Sequence, residues 1–421
     1  IPPSGGLPDA GLQNPCLMKH LLIILPCLFF PAIGCLGCSH EEPGQNPDKE
    51  IPAPPGIVVN HVPKSTETYI GSPSLCILPN GDYIASHDLF GPKANTGKMG
   101  TTLVFRSGNK GATWEQIARI GGQYWSNLFL HREDLYLLGT DKGHGNIVIR
   151  RSKDGGRTWS VPMDAATGVL FEGHYHTAPT PVALHNGRLW RAFENADALD
   201  SKLPDRYGIL MISAPADGDL LDAANWKMTN FLVADDTWMN GQFRGWYESN
   251  ALTTRDGRLV DIARVHIWPG AEEMAAIAKV SADGEELYFQ PSSGFVRMPG
   301  GSKKFTIRYD KNTGRYWSLV NNIPAGYENA YPATVRNYLA VISSGDLLTW
   351  KMHRIVLEHP DRLLHGFQYV DWLFEGDDIV FLSRTAFDDE EGGAVRYHDA
   401  NFLTFHRIEN YKSLLTTEIE Y

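Results

Sequence analysis

Beyond residue 55, apolar positions alternate with polar ones in short runs, and almost no stretch has the spacing of an amphipathic helix. The recurring unit is a hairpin: an apolar strand, a turn, and a second strand rich in aromatic and β-branched residues. Six such hairpins are recognisable, with turns roughly 50–70 residues apart. Their turns are Asn80-Gly81, Glu133-Asp134, Asn186-Gly187, Asp256-Gly257, Thr313-Gly314 and Glu375-Gly376.

This spacing is typical of a four-stranded propeller blade. The sequence therefore predicts an all-β protein with a single β-propeller. We expect seven blades, of which six modules are recognisable. The apolar segments at 57–59 and 402–405 would close the ring, either by sharing one blade or by helping to build a seventh.

Two turns nearly repeat each other. Residues 152–159 read SKDGGRTW and residues 107–114 read SGNKGATW, with weaker echoes at 281–284 and 344–350. The pattern SxDxGxTW resembles the Asp-box of sialidase-like β-propellers; the copy at 152–159 matches fully, whereas Asn109 replaces the Asp in the other. An Asp-box is a structural turn, so this resemblance implies an architecture and leaves the site to be found elsewhere.

Composition narrows the choice of partner. The 421 residues carry a formal net charge of −11, which disfavours nucleic acid; an acidic ligand would need a local basic cluster. Four of the five cysteines precede Ser39, so no disulfide is expected within the domain. Cys76 lies in an apolar run and is expected to be a small buried side chain.

The N-terminal region predicts export. Residues 1–17 are interpreted as upstream sequence that is not translated natively, and 18–38 as a lipoprotein signal peptide ending at Cys35 or Cys38. Residues 39–55 would form a flexible tether, and 56–421 a catalytic propeller. We therefore expect a bacterial lipoprotein of the periplasm or outer-membrane surface, a monomer that contacts the membrane only through its lipid.

Aligning the six hairpins on their turns predicts which residues share one face. Counting seven positions past each turn reaches the far end of each second strand, and every residue there is polar. These strand-end residues are Asp88, Asp141, Glu194, Arg264, Asn321 and, with one extra position, Arg384. Strand ends in one register lie at one face of a propeller near its axis, where ligands usually bind.

The column one position earlier is small or apolar except for His87, which makes His87 a candidate catalytic residue. The same register brings the beginnings of the first strands to that face, including His176 and Tyr247. We expect a cleft in which the substrate-binding residues are His176, Glu194, Tyr247, Arg264 and Arg384.

Three paired stretches suggest a family: 72–75 with 81–88, 176–181 with 186–194, and 366–372 with 384–386. They resemble the seven-bladed propeller enzymes of gut and marine Bacteroidetes that include glycoside hydrolase family 145 and the ulvan lyases. In the hydrolase branch the resemblance implies an exo-acting α-L-rhamnosidase. It would release terminal L-rhamnose α-1,4-linked to D-glucuronate, as in arabinogalactan, with His87 as a single acid/base. A sialidase is not expected, because Gly71 stands where the carboxylate-binding Arg belongs.

The lyase branch is the first alternative. Tyr247 and Arg264 have a spacing similar to the Tyr and Arg of ulvan lyases, with His176 as their partner in β-elimination of a rhamnose–glucuronate linkage. Glu194 speaks against this branch, because a carboxylate in the cleft would repel a uronate.

A non-catalytic surface lipoprotein that binds glycans is the second alternative. Such a protein would use aromatic platforms, for which the candidates are Trp125, Trp238, Trp246, Trp268 and Trp372. Loss of activity on replacing His87 would separate an enzyme from this alternative.

No cofactor is predicted, and the sequence contains no HExxH, paired Cys ligands or EF-hand spacing. A structural calcium on the propeller axis would be compatible with the family. The expected partner is an oligosaccharide or polysaccharide that contains uronic acid.

Overall fold

The computed structural model describes residues 51–197 and 207–420. The predicted signal peptide and acylated cysteine lie outside these residues, as does nearly all of the tether. Among the described residues, no helix combines the length and apolar character needed to traverse a bilayer.

The strands of the first three modules follow the predicted hairpins. Module 1 contains β2 (Tyr69–Ile77), β3 (Tyr83–Phe90), β4 (Thr101–Ser107) and β5 (Glu115–Gly121). Module 2 contains β6 (Tyr124–His131), β7 (Asp134–Thr140), β8 (Gly145–Ser152) and β9 (Val169–His176). Module 3 contains β10 (Ala183–His185), β11 (Arg188–Asn195), β12 (Gly208–Pro215) and β13 (Lys227–Met228).

The remaining modules repeat this arrangement. Module 4 contains β14 (Phe243–Thr253), β15 (Leu259–Ile267), β16 (Met274–Val280), β17 (Leu287–Tyr288) and β18 (Phe295–Arg297). Module 5 contains β19 (Thr306–Asp310), β20 (Arg315–Val320), β21 (Tyr338–Ser344) and β22 (Trp350–Glu358). Module 6 contains β23 (Gly366–Glu375), β24 (Asp378–Ala386), β25 (Phe402–Ile408) and the N-terminal β1 (Ile57–His61).

Helical segments are short and lie between strands. The α-helical turns are α1 (Trp238–Gly241) and α2 (Pro291–Gly294). The 3₁₀ turns are Lys64–Thr66, Ala223–Asn225, Pro332–Thr334 and Tyr411–Thr416. The protein is therefore all-β, as predicted.

The modules close into a propeller through apolar layers between neighbouring sheets. Each buried apolar cluster draws side chains from two consecutive modules, and the cluster containing Leu75 and Leu403 joins module 1 to module 6. Alternating side chains on every strand supply both layers, because successive residues point to opposite faces of a sheet. The predicted core role of Cys76 is confirmed: it packs between modules 1 and 2, and burial raises the pKa of its thiol to about 12.

The expectation of seven blades is not supported. Residues 51–197 and 207–420 contain six modules, and β1 pairs antiparallel with β25 instead of contributing to a seventh. Ring closure thus follows the first of the two predicted routes, in which the segments at 57–59 and 402–405 share one blade. This pairing covers the edge of β25 that would otherwise be unpaired, and β1 becomes the outer strand of the module 6 sheet.

The repeated turns share one set of hydrogen bonds. In the turn at 152–159, Ser152 Oγ accepts from the Gly156 N–H, Asp154 Oδ1 accepts from the Thr158 N–H, and Trp159 Nε1 donates to the Gly156 carbonyl. The turns at 107–114 and 344–350 contain the same three contacts. These turns connect the outer strands of their modules, and they do not include the strand-end residues predicted to bind a ligand.

Candidate active site

The upper face, defined as the face at which the second strand of each module ends, is shaped by β-bulges. The innermost strands β6, β14 and β23 each change register beside Trp125, Glu248 and Tyr369, respectively. These three residues have φ values of 48°, 54° and 55°, a left-handed backbone that is uncommon outside glycine. A bulge redirects side chains, and here all three join one cluster.

His176 and Glu194 form a buried pair at this face. The last residues of β9 pair with β11, which sets His176 directly opposite Glu194. Nδ1 of His176 lies 2.7 Å from Oε2 of Glu194, and the other carboxylate oxygen accepts from the Ser249 N–H at 3.2 Å. Among the described residues, no group hydrogen-bonds to Nε2 of His176. A carboxylate on Nδ1 fixes the tautomer that leaves Nε2 as a proton acceptor.

Aromatic rings surround His176, which is 6% exposed. The ring of Tyr207 stacks on it at 4.6 Å between centroids, and Trp125 meets it edge-on at 4.3 Å. The ring of Tyr247 is 5.7 Å away. The imidazole therefore sits in an aromatic recess beside Tyr247.

Tyr247, His266 and Arg264 meet at the centre of the cluster. The Tyr247 hydroxyl is 2.7 Å from His266 Nε2, which also lies 3.0 Å from Nη2 of Arg264. Because a guanidinium only donates, Nε2 of His266 is the acceptor, and its proton resides on Nδ1. Burial and the neighbouring Arg264, Arg336 and Arg244 hold the pKa of His266 well below its usual value. His266 is therefore neutral near pH 7.

Arg264 is ion-paired with Glu248 and lies against the ring of Tyr247. Arg264 donates to Glu248 Oε2 at 2.6 Å and to the Ser302 carbonyl, and its Cζ lies 4.5 Å from the centre of the Tyr247 ring. Burial raises the pKa of Tyr247 well above 10, despite the opposing effect of Arg264. Burial tends to raise the pKa of Glu248, but Arg264, His176 and the hydrogen bond from Tyr369 together outweigh burial, and the pKa falls. At neutral pH the cluster thus holds a protonated tyrosine, an ionised glutamate and a charged arginine.

Arg384 reaches the cluster through Tyr369. The Tyr369 hydroxyl donates to Glu248 Oε1 at 2.8 Å, and its ring lies 4.8 Å from Arg384 Cζ and 5.3 Å from Arg336 Cζ. Both arginines are buried, and within the described ranges neither forms an ion pair with a carboxylate. A buried charge without a counter-charge is costly, so these arginines favour an anionic ligand.

His87 lies elsewhere. Its ring is fully buried between modules 1 and 6, stacked on Phe105 at 5.5 Å. Nε2 is 2.9 Å from Asn60 Nδ2, and Nδ1 is 2.8 Å from the carbonyl oxygen of Asp88. Burial lowers the pKa of His87 to about 4. Both ring nitrogens are thus satisfied inside a packing layer, and the structure does not bring His87 together with the other predicted site residues.

The other strand-end residues divide by environment. Asp88 is buried, where it accepts from Thr102 Oγ1 of its own module and from the Trp125 N–H of module 2, and burial raises its pKa to about 8. The side-chain amide of Asn321 donates hydrogen bonds to three backbone carbonyl oxygens, which indicates a structural role. Gly71 has no room for a side chain, because a Cβ would lie 2.6 Å from the Asp88 carbonyl oxygen.

Of the predicted aromatic platforms, only some face outward. Trp246 and Trp372 are fully buried, and Trp238 packs edge-on against Trp246. Trp125 lines the His176 recess. Trp268 is 47% exposed, with Arg244 over its ring at 4.6 Å.

Sequence reasoning missed Glu248, His266, Arg336, Tyr369 and Tyr207. His266 had a signal, since it follows Arg264 by two positions on one strand and so shares its side of the sheet. Glu248 and Tyr369 had none, because only the bulges turn them inward. Within the part of the chain that the structure describes, no three His, Cys, Asp or Glu side chains are grouped to hold a metal ion.

No protein-family model matches this chain, and no curated protein matches it. Solved structures do. An α-L-arabinanase from Penicillium chrysogenum, in complex with arabinobiose, superposes with a TM-score of 0.53 at 15% identity, covering 85% of this chain and 98% of that one. A Hadza microbial sialidase gives 0.56 at 14% identity, covering 85% and 69%. A Dyadobacter fermentans protein of unknown function gives 0.55 at 13%, covering 84% and 97%. At these identities the likeness shows the β-propeller fold.

Proposed function

We propose that this protein is a carbohydrate-active enzyme that cleaves a uronate-containing glycan by β-elimination at the upper face. The observation that carries the proposal is the meeting of the Tyr247 hydroxyl, His266 Nε2 and Arg264 beside the His176–Glu194 pair. This choice favours the lyase branch of the resemblance over the hydrolase branch.

The substrate is inferred from charge. The chain is acidic overall, yet Arg264, Arg336 and Arg384 converge here, and only Arg264 has a carboxylate partner among the described residues. A local positive field in an acidic protein selects an anionic ligand. Glu194, which counts against this branch in the sequence, is fully buried, with one carboxylate oxygen on His176 and the other on the Ser249 N–H, so a bound uronate would not contact it directly.

Binding of the carboxylate falls to arginine, and the two proton transfers are divided between His176 and Tyr247. The cluster of Arg264, Arg336 and Arg384 would bind the uronate carboxylate, which makes the C5 proton more acidic. Nε2 of His176 takes that proton, and the electron pair forms the C4–C5 double bond as the C4–O4 bond breaks. Tyr247, kept protonated by its raised pKa, donates its proton to the departing O4.

A rhamnosyl-α-1,4-glucuronate oligosaccharide tests this proposal. We expect ultraviolet absorbance from a 4,5-unsaturated uronate together with released rhamnose, and loss of both in Tyr247→Phe. Rhamnose without absorbance would overturn the elimination and support hydrolysis. Neither signal would favour a binding protein or another glycan.

Hydrolysis is the second candidate, favoured by structural neighbours that are named as an arabinanase, an arabinofuranosidase and sialidases. In this form the protein would be an exo-α-L-rhamnosidase, and the family resemblance assigns the acid/base role to His87, which would have to leave its contacts with Asn60 and the Asp88 carbonyl to reach a substrate. Rhamnose release that disappears in His87→Ala, with folding intact, would support it.

The proposed cellular setting follows the N-terminal sequence. Residues 18–38 would direct export and attach a lipid to Cys35 or Cys38, so that the enzyme meets its polysaccharide outside the cytoplasm. Labelling with a radioactive fatty acid, lost when both cysteines are replaced by serine, tests this attachment.

A further inference from the structure

One buried aromatic ring contacts both residues to which we assign proton transfer. The ring of Tyr207 stacks on that of His176, with 4.6 Å between centroids and 27° between planes. It also packs against the ring of Tyr247 at 5.4 Å. Tyr207 is only 2% exposed, so a glycan on the upper face does not reach its ring. Tyr207 therefore contacts the proposed base and the proposed acid without contacting the substrate.

The hydroxyl of Tyr207 is anchored in the neighbouring module. Tyr207 immediately precedes β12 of module 3, and its hydroxyl lies 2.9 Å from Nε2 of His144, in the turn between β7 and β8 of module 2. His144 has a φ of 54°, and Trp125 meets its ring edge-on at 5.4 Å. A ring whose backbone and hydroxyl are both held keeps one orientation, so the plane of Tyr207 over His176 is fixed.

Tyr207 is not a member of the apolar core. None of the apolar clusters between modules includes it in the part of the chain that the structure describes. Its ring neighbours include the titratable side chains His144, His176 and Tyr247. This environment places Tyr207 in the proton-transfer cluster and outside the packing layers.

The face of an aromatic ring distinguishes the two protonation states of His176. Ring faces carry negative partial charge, and a cation within about 6 Å of the centroid is attracted to them. The neutral imidazole lacks this attraction, whereas the imidazolium formed when Nε2 takes the C5 proton has its centroid 4.6 Å from that of Tyr207. An interaction that strengthens during the reaction lowers its barrier. Tyr207 thus supports proton uptake from the face of the imidazole, and Glu194 supports it from Nδ1.

We propose that Tyr207, anchored by His144, is a positioning residue that stabilises the protonated form of His176 and fixes the spacing between His176 and Tyr247. The inference rests on the proposed function and extends it to residues that transfer no proton themselves. Because Tyr207 acts on the protonated state of His176, its effect appears in the pH dependence of the reaction and hardly in substrate binding.

A pH–rate profile with the rhamnosyl-α-1,4-glucuronate oligosaccharide tests the effect on catalysis. Tyr207→Leu removes the ring face, so His176 takes up a proton less readily. We expect kcat to fall about tenfold and the acid limb of kcat/KM to move to lower pH by roughly half a unit. KM should change little, because Tyr207 is buried. Tyr207→Phe retains the ring face and should leave the acid limb in place, with kcat lowered about threefold.

Nuclear magnetic resonance gives a readout that does not require turnover. With isotope labelling of histidine, the signal of His176 is assigned by its loss in His176→Gln and titrated against pH without ligand. Its midpoint should fall in Tyr207→Leu and stay unchanged in Tyr175→Leu, the matched control. Tyr175 is the neighbour of His176 on β9 and packs on the opposite side of the sheet, against the apolar cluster of modules 2 and 3.

The anchor is tested by a double-mutant cycle. His144→Leu and Tyr207→Phe each break the hydrogen bond, so the double variant should lose little more kcat than either single one. Tyr207→Phe retains the ring, so the cycle decides even where Tyr207→Leu fails to fold.

Additive losses in the cycle, or a His176 midpoint that does not move in Tyr207→Leu or moves equally in Tyr175→Leu, would overturn the proposal. If the midpoint moves as expected although the wild-type protein forms no unsaturated product, the role of Tyr207 is supported and the elimination is rejected, so the two failures are distinguishable.

Discussion

His87 and His176 occupy comparable strand ends at the upper face, yet their surroundings are opposite. His87 lies in a packing layer with both nitrogens bonded to Asn60 and to backbone. His176 has one nitrogen on a buried carboxylate and its ring in an aromatic recess. The comparison teaches that axial register places a residue at a face, whereas its neighbours in space determine whether it can exchange a proton with a ligand.

The largest expected effect removes the proposed proton donor near His176. Tyr247→Phe deletes one oxygen and should lower the rate of unsaturated-uronate formation about a hundredfold or more, the usual contribution of acid–base catalysis. Initial rates at saturating oligosaccharide measure this effect. Tyr309→Phe on β19 is the matched control, and equal losses in both variants would contradict the assignment.

The next prediction concerns His87, the histidine that lies in the packing layer. His87→Ala removes a fully buried ring and should destabilise the fold by about 2–4 kcal/mol, while the folded fraction keeps its activity. Urea unfolding, with activity assayed below the transition, separates the two quantities. An inactive but equally stable variant would reverse the roles that we assign to the two histidines.

A smaller effect is expected from the partner of His176. Glu194→Gln keeps a hydrogen-bond acceptor but removes the charge that supports proton uptake at Nε2, so kcat should fall about tenfold or more. KM should change little, because Glu194 faces His176 and not the substrate. A pH–rate profile with an unaltered acid limb would argue against His176 as the base.

The last expected effect is a pH dependence of the free energy of unfolding, which arises from His87. Its pKa is about 4 when folded and ordinarily about 6.5, so the unfolded chain binds the extra proton between these values. Stability from the neutral ring is present above pH 6.5 and is lost at up to about 1.4 kcal/mol per pH unit as pH falls toward 4.

The advantage of wild type over His87→Gln should therefore shrink across this window. Comparing the two proteins cancels most of the opposite titration of Asp88, whose pKa is raised to about 8 and whose contribution declines as pH rises. Denaturant midpoints at pH 7 and pH 4.5 measure the change. A constant difference would show that His87 is not held neutral.

The strand ends show how far prediction from the sequence reached. Turn residues such as Asn186-Gly187 located the hairpins, and counting from them correctly placed Glu194, Arg264 and His176 at one face. The same count placed His87 at that face too. The count does not determine which side of the sheet a side chain faces, or which residues cover that side. Adjacent residues on a strand point to opposite sides of the sheet. His87 therefore packs between modules 1 and 6, whereas Asp88 packs toward module 2.

By itself the sequence determined the all-β architecture, the six hairpins and the polar character of the strand ends, because turn chemistry and hydrophobic periodicity are local. Tertiary structure decided that β1 and β25 share one blade and that bulges turn Glu248 and Tyr369 inward. It also decided that Tyr247 meets His266 while His87 is enclosed. These outcomes depend on pairing between distant strands and on burial, which set hydrogen bonding and pKa and are not encoded in any short segment.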